Sequence, residues 1–289
     1  MEIASIKAFV TVAKFHSFSE AAKSLHLTQP AISKRVALLE LELKENLFDR
    51  VGRKVILTEA GELLLPRCQQ ILENIEDALL SLENLSGKVN GRLRIATSHH
   101  IGLHRLPGYL RQFSQQYPDV DLDIQFLTSE EILNQVEKGG LELGVVTLPD
   151  HLAENLHARV LWQDNLKFVV STTHPLAMCK NITLKELSEH DALLPEKNTF
   201  TRDIIESVFA KNNLHLHTRL NTNYLETLKM LTTVGLGWSV LPETMLDNEL
   251  KVLNVKNNHL TRKLGYIQNR HRTLSNAALA MTGLLSHKN

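Results

Sequence analysis

Apolar runs of membrane-spanning length are missing: none approaches the roughly 18 residues a bilayer-crossing helix needs, so no membrane partner is expected. The N-terminus does not carry the basic-then-apolar order of an export signal, because Glu2, Lys7 and Lys14 interrupt it. A cytoplasmic location is the expectation. Cysteine is almost absent. Cys68 and Cys179 alone make neither a disulfide framework nor a zinc motif. Fingerprints of catalysis are missing too: there is no P-loop, no G-x-S-x-G, no H-E-x-x-H and no dinucleotide-binding glycine pattern. Neither an enzyme nor a cofactor is expected. The formal net charge is zero, so the total charge gives no argument for nucleic acid.

What is present is an ordinary globular composition, 43% hydrophobic and 22% charged over 289 residues, enough for more than one domain. The charge is unevenly spread. Residues 1–58 hold nine Lys/Arg against six Asp/Glu, which leaves a net −3 on the remainder. A basic head on an acidic body suits phosphate binding at one end.

Within the head, Ile6, Phe9, Val12 and Phe15 recur every third residue and predict one apolar helix face. Ser19 is the expected N-cap of a short helix Glu20–Leu25. After a tight connection at His26-Leu27, Thr28 can cap a third helix that tolerates Pro30 in its first turn. Ile32, Val36, Leu39 and Leu43 should face the core, while Gln29, Pro30, Ser33, Lys34 and Ala37 face outward. A small, polar, basic outer face suits a recognition helix in a DNA major groove; any three-helix cluster with a solvated face is the alternative. Residues 47–57 then read as two short strands around a glycine-containing turn. Arg50, Arg53 and Lys54 lie at its tip, where they would grip phosphates.

Ser17 to Ala22, Leu27 to Ser33, Leu39-Glu40, Leu47-Phe48, Arg50 and Leu57 to Gly61 together resemble the LysR-type transcriptional regulators. That resemblance implies an N-terminal winged helix-turn-helix over residues 1–58, its helix-turn-helix at about 18–37. A long linker helix (59–87) and a two-lobed α/β effector domain resembling periplasmic binding proteins would follow. It puts Gln29, Pro30, Ser33 and Lys34 near bases and Thr28, Arg50 and Arg53 on phosphates of double-stranded promoter DNA. Homotetramer assembly and contact with RNA polymerase come with the same resemblance. One departure is Lys44, where the family usually has glycine, so the turn before the wing is expected to differ.

Leu64, Cys68, Ile71, Ile75, Ala78, Leu82 and Leu85 alternate spacings of four and three, as in a coiled-coil seam. Leu65, Leu72 and Leu79 widen it. Thr58 would cap this helix, Ser86-Gly87 end it, and Pro66 kink it. The seam predicts a homodimer presenting two heads. Cys68 on it reads as a small buried hydrophobe in preference to a redox switch.

Beyond Gly91, strand-like and helix-like segments alternate, which predicts a mostly parallel sheet covered on both faces. Residues 91–162 with 266–289 would form one lobe and 163–265 the other. Ligands in such sheets bind beyond the strand carboxyl ends, at helix N-termini. Those positions are Thr97, Ser98, His99 and His100; Thr128 and Ser129; Thr147; and Asn198, Thr199, Thr201 and Arg202. Hydroxyls, helix-end N–H groups and one arginine suit a small anionic effector. Glu130-Glu131 reads as a solvated face. His100 and His104 stand i, i+4, a chelating spacing, but no carboxylate or thiol close in sequence completes a set, so no metal is expected. A redox- or metal-responsive regulator on the same scaffold is the alternative function.

Overall fold

The computed structural model describes residues 1–51, 54–256 and 258–287, without the side chains of residues 50, 51 and 54. The chain divides into two compact units, Met1–Ser86 and Gly87–Asn289.

In the first unit, α1 (Ile3–Phe15), α2 (Phe18–Ser24) and α3 (Gln29–Leu43) precede the hairpin β1 (Phe48–Val51) and β2 (Lys54–Leu57), and α4 (Glu59–Asn84) closes it. Ile6, Phe9 and Val12 are buried, whereas Phe15 is exposed. A strict three-residue step drifts off one face of a 3.6-residue helix within four repeats. Leu43 keeps to the face of buried Ile32, Val36 and Leu39 but is exposed as the last residue of α3. The N-cap of α2 is Ser17 instead of Ser19, its hydroxyl accepting from the Glu20 N–H. Thr28 occupies the N-cap position of α3 without a side-chain capping bond. Lys44, in the position where glycine was expected, caps α3 in the left-handed region at φ 58°. The glycine-type turn is therefore kept, at a backbone cost, since a side chain is disfavoured there.

Glu40 ties α3 to the root of the hairpin, its carboxylate accepting from the N–H groups of Leu47 and Phe48. Thr58 caps α4, accepting from Gly61 N–H at 3.0 Å. Gly61 must be small, because a Cβ there would collide with the Leu47 carbonyl. Along α4 the apolar seam is split. Leu64, Cys68 and Ile71 pack into their own head with Ile6, Phe9, Leu39 and Leu47, while Leu79, Leu82 and Leu85 are exposed.

The second unit runs β3 (Gly91–Thr97), α5 (His99–His104), α6 (Pro107–Gln116), β4 (Val120–Phe126), α7 (Ser129–Glu137), β5 (Leu143–Thr147) and β6 (Leu156–Ser171). Then come α8 (Leu184–Ser188), β7 (Ala192–Leu194), α9 (Phe200–Ala210), β8 (Thr218–Asn221), α10 (Leu225–Thr233), β9 (Trp238–Pro242), β10 (Leu250–Val252), β11 (Leu260–Asn269) and α11 (Asn276–Ser286). Its sheet has the order β4-β3-β5-β11-β6-β9-β7-β8, with β10 beside β6. The expected mostly parallel sheet is a mixed one: β4-β3-β5 and β9-β7-β8 pair in parallel, but β5-β11, β11-β6 and β6-β9 pair antiparallel. β6 is long, sixteen residues from Leu156 to Ser171.

β6 and β11 pair from Leu156↔Asn269 to Leu166↔Leu260, and so run through both lobes as twin connecting strands. Side chains alternate across the strands, which gives each lobe two cores. In lobe I, Leu93 and Ile95 pack with Phe113 and Met281 on one face, and Ala96 with Ile132 and Val136 on the other. In lobe II, Phe168, Phe209 and Trp238 fill one face, and Leu193, Leu228 and Leu241 the other. The Trp238 indole N–H donates to the carbonyls of Leu187 and His190. Among the described residues no helix is long and apolar enough to cross a membrane.

Candidate DNA interface and effector cleft

On the head, Thr28, Gln29, Pro30 and Lys34 are exposed and Ser33 is half-buried, all on the first turns of α3. Gln29 donates to the Ser33 hydroxyl at 3.1 Å, which holds its amide along the helix face. Because Thr28 does not cap α3, its hydroxyl stays available to a phosphate oxygen. Arg50 and Lys54 fall on the paired strands β1 and β2. Arg53 lies outside the described residues.

On the sensing unit, a cavity of 420 Å³ opens between the lobes. Of the positions read from sequence, Ser98, His99, His100, Thr128, Ser129, Thr147, Thr199 and Thr201 line it. Three do not. Thr97 is buried and donates to the Val145 carbonyl at 3.0 Å. Asn198 is an exposed turn residue at φ 63°. Arg202 is buried within lobe II, held by Glu206, Asn221, Thr218 and the Pro195 carbonyl; its guanidinium braces the α9 region instead of meeting the cavity.

The arginine at the cavity is Arg262, from β11. Its Nε lies 2.9 Å and its Nη2 2.8 Å from Asp164 Oδ2, and its Nη1 donates to the Thr201 hydroxyl at 2.9 Å. Arg105 adds a second contact to Asp164, at 3.1 Å. Burial pulls the Arg262 guanidinium below its ordinary value and the Asp164 charge pulls it back up. Asp164 and Arg262 are register partners on the two connecting strands, so this buried ion pair sits at the crossing between lobes. A signal for both was present: Leu260, Arg262 and Leu264 alternate on one strand face, as do Asp164, Leu166 and Phe168, and a charge on a buried strand face requires a partner.

Several hydroxyls at the rim already have work. The Ser129 hydroxyl accepts from Thr147 N–H at 3.0 Å, and Thr199 donates to the Glu196 carbonyl. Thr128 and Glu131 form a capping box on α7. Glu130 is not on a solvated face as expected: it reaches lobe II and accepts from Phe200 N–H at 2.7 Å. Glu196 and Asn223 bond to each other in the same wall. Tyr224 and Phe126 meet the His99 ring edge-on. His100 is buried against Asp164, and burial, with the Arg262 charge, lowers its imidazole to about 4. At neutral pH it is uncharged. The starts of α7, α9 and α10 all line the cavity, so the positive ends of three helix dipoles face it, together with the Arg262 guanidinium.

Residues 3–62 match the family of bacterial regulatory helix-turn-helix proteins, lysR family, and residues 86–288 match the LysR substrate binding domain. A probable RuBisCO transcriptional regulator of Synechocystis sp. is 30% identical over 93% of this chain and 81% of its own length. An HTH-type transcriptional regulator of Azotobacter vinelandii, itself uncharacterized, is 62% identical over 37% of this chain and 74% of its own. Among solved structures, a full-length OxyR variant of Pseudomonas aeruginosa superposes with a TM-score of 0.71 at 22% identity, over 99% of this chain and 93% of that one. Full-length CbnR in complex with its target DNA gives 0.63 at 21%, over 99% of each chain. These two likenesses show a shared fold. A helix-turn-helix head and a two-lobed substrate-binding body, matched in order over nearly the whole chain, make this protein a member of the LysR-type transcriptional regulator family.

Proposed function

We propose that this chain binds promoter DNA sequence-specifically through the first turns of α3 and the β1–β2 wing, and that a small anionic effector between the lobes controls it. The carrying observation is the 420 Å³ cavity, whose walls come from both lobes. A ligand that touches both walls binds one lobe arrangement better than another, which is what a switch requires. Three helix starts and Arg262 at the cavity favour an acidic group, and the Glu130 carboxylate at the start of α9 is an example of the group that fits. The exposed Leu79 and Leu82 on α4 and Leu85 at its C-cap support pairing of two chains, so that two heads read two half-sites.

The test is DNase footprinting of the purified chain across promoter fragments, with Gln29→Ala and Lys34→Ala beside it. A protected region that the first variant weakens selectively and the second weakens for all sequences supports the reading. No protected region on any fragment would sink it. The effector is sought by native mass spectrometry of the chain as purified, with Thr201→Val as the cavity control.

A further inference from the structure

His100 and His104 stand one turn apart on α5, their ring centroids 4.8 Å apart. What the sequence could not offer them was an acid. The fold supplies it from lobe II: Glu226, on the first turn of α10, places Oε1 3.0 Å from His104 Nε2 and 3.9 Å from His100 Nδ1. One ligand atom from each of the three lies within 4.8 Å of the others. Buried polar atoms meet here without hydrogen-bond partners among the described residues: both ring nitrogens of His100, His99 Nδ1 and Glu226 Oε2. His100 is only 4% exposed. Buried polar groups are nearly always paired, so His100 Nδ1, unpaired beside the His104–Glu226 contact, calls for a bound species.

We propose that His100, His104 and Glu226 form a transition-metal site, best suited to zinc, that joins α5 of lobe I to α10 of lobe II. Two imidazoles and a carboxylate are a familiar donor set for this ion, leaving a fourth position open to water or an effector group. Metal–ligand bonds of about 2.0–2.2 Å put tetrahedral donor atoms ~3.3–3.5 Å apart. The His104–Glu226 contact is already near that separation. The others need side-chain shifts of about an ångström, which the partly exposed His104 and Glu226 can make. A carboxylate partner stands nearby: with Nδ1 on the metal, His100 Nε2–H faces Asp164 Oδ2 across 4.0 Å, too long for a hydrogen bond until the ring shifts, and Asp164 is held by Arg105 and Arg262. Carboxylate–histidine–metal relays of this kind fix the ring and strengthen the ligand. His99 Nδ1 lies 3.5 Å from the second Glu226 oxygen and can orient it. Metal occupancy would clasp the lobes and regulate the adjoining cleft, and its measurement needs neither DNA nor effector.

The experiment is calorimetric titration of the untagged full chain, stripped with EDTA and exchanged into chelator-free buffer, with zinc chloride. Cobalt chloride provides an optical readout through the d–d bands of a tetrahedral site. One saturable ion per chain is expected. His104→Asn and Glu226→Gln should each weaken it by more than the roughly 10–100-fold that a change in the outer shell costs, and abolish the tetrahedral cobalt spectrum. Circular dichroism melts of both partly exposed variants check that the fold is kept. No saturable binding to the wild-type chain overturns the proposal. So does zinc binding that both variants leave unchanged, which would assign the ion to other histidines.

Discussion

Glu130 and Phe200 connect the two lobes: the carboxylate of the first accepts a 2.7 Å hydrogen bond from the main-chain N–H that begins α9 in the second. A carboxylate at a helix N-terminus gains from both the hydrogen bond and the helix dipole, together about 1–2 kcal/mol. Glu130→Ala should lower the melting temperature of the chain by a few degrees in scanning calorimetry, given ~2–4 °C per kcal/mol for domains of this size. An unchanged melting curve would mean that the contact contributes nothing to lobe closure.

Lys44 is the second place to look. Its left-handed backbone, φ 58°, is strained for a residue with a Cβ and free for glycine. Since its side chain is exposed, Lys44→Gly should stabilise the head by about 0.5–1 kcal/mol, the relief exceeding the extra entropy of the unfolded glycine. The urea midpoint of the isolated transition of the head reads it; a lower midpoint refutes the strain.

Arg262 and Asp164 form a buried pair, so losing one partner leaves the other charge buried. Arg262→Met should cost about 3–5 kcal/mol in chemical denaturation. Adding Asp164→Asn should recover part of that loss, because the buried charge left with Arg105 alone is removed as well. Strict additivity of the two changes would show that the residues are not coupled.

Cys68 is buried in the head, where desolvation pushes its thiol up, whereas Cys179 is exposed. In native buffer one thiol, Cys179, should react at once with a disulfide reagent, and Cys68 only on unfolding. A response to oxidant that survives replacement of both by serine would dispose of a cysteine-based redox switch.

For His100 the sign runs toward acid instability. Its folded imidazole titrates near 4 against an ordinary 6.5, so between those values the unfolded chain takes up a proton that the folded chain refuses. Its share of stability is intact above pH 6.5 and lost as pH falls toward 4, by up to about 3 kcal/mol. In metal-free buffer, wild-type stability should drop more steeply over that window than that of His100→Asn.

The head was legible in the sequence because it is built from local relations. Periods of three and four set α1, α3 and α4, and a serine or threonine with the following N–H groups sets the caps. The Gln29–Ser33 pair lies within a single turn of helix. Errors there were local: a drifting face at Phe15, an exposed helix end at Leu43 and a cap two residues early, at Ser17 in place of Ser19. The cleft was legible only as places where a strand hands over to a helix, which is why eight of its wall residues could be named while Arg202 was put in the role of Arg262.

What tertiary structure alone decided is which charges meet. Asp164 and Arg262 are 98 residues apart and become neighbours because β6 pairs antiparallel with β11. His104 and Glu226 are 122 apart, brought together only when the two lobes share one sheet. A chelating pair of histidines on a helix is a local pattern that the sequence states outright. Its third donor is a product of strand order, and no spacing along the chain encodes that.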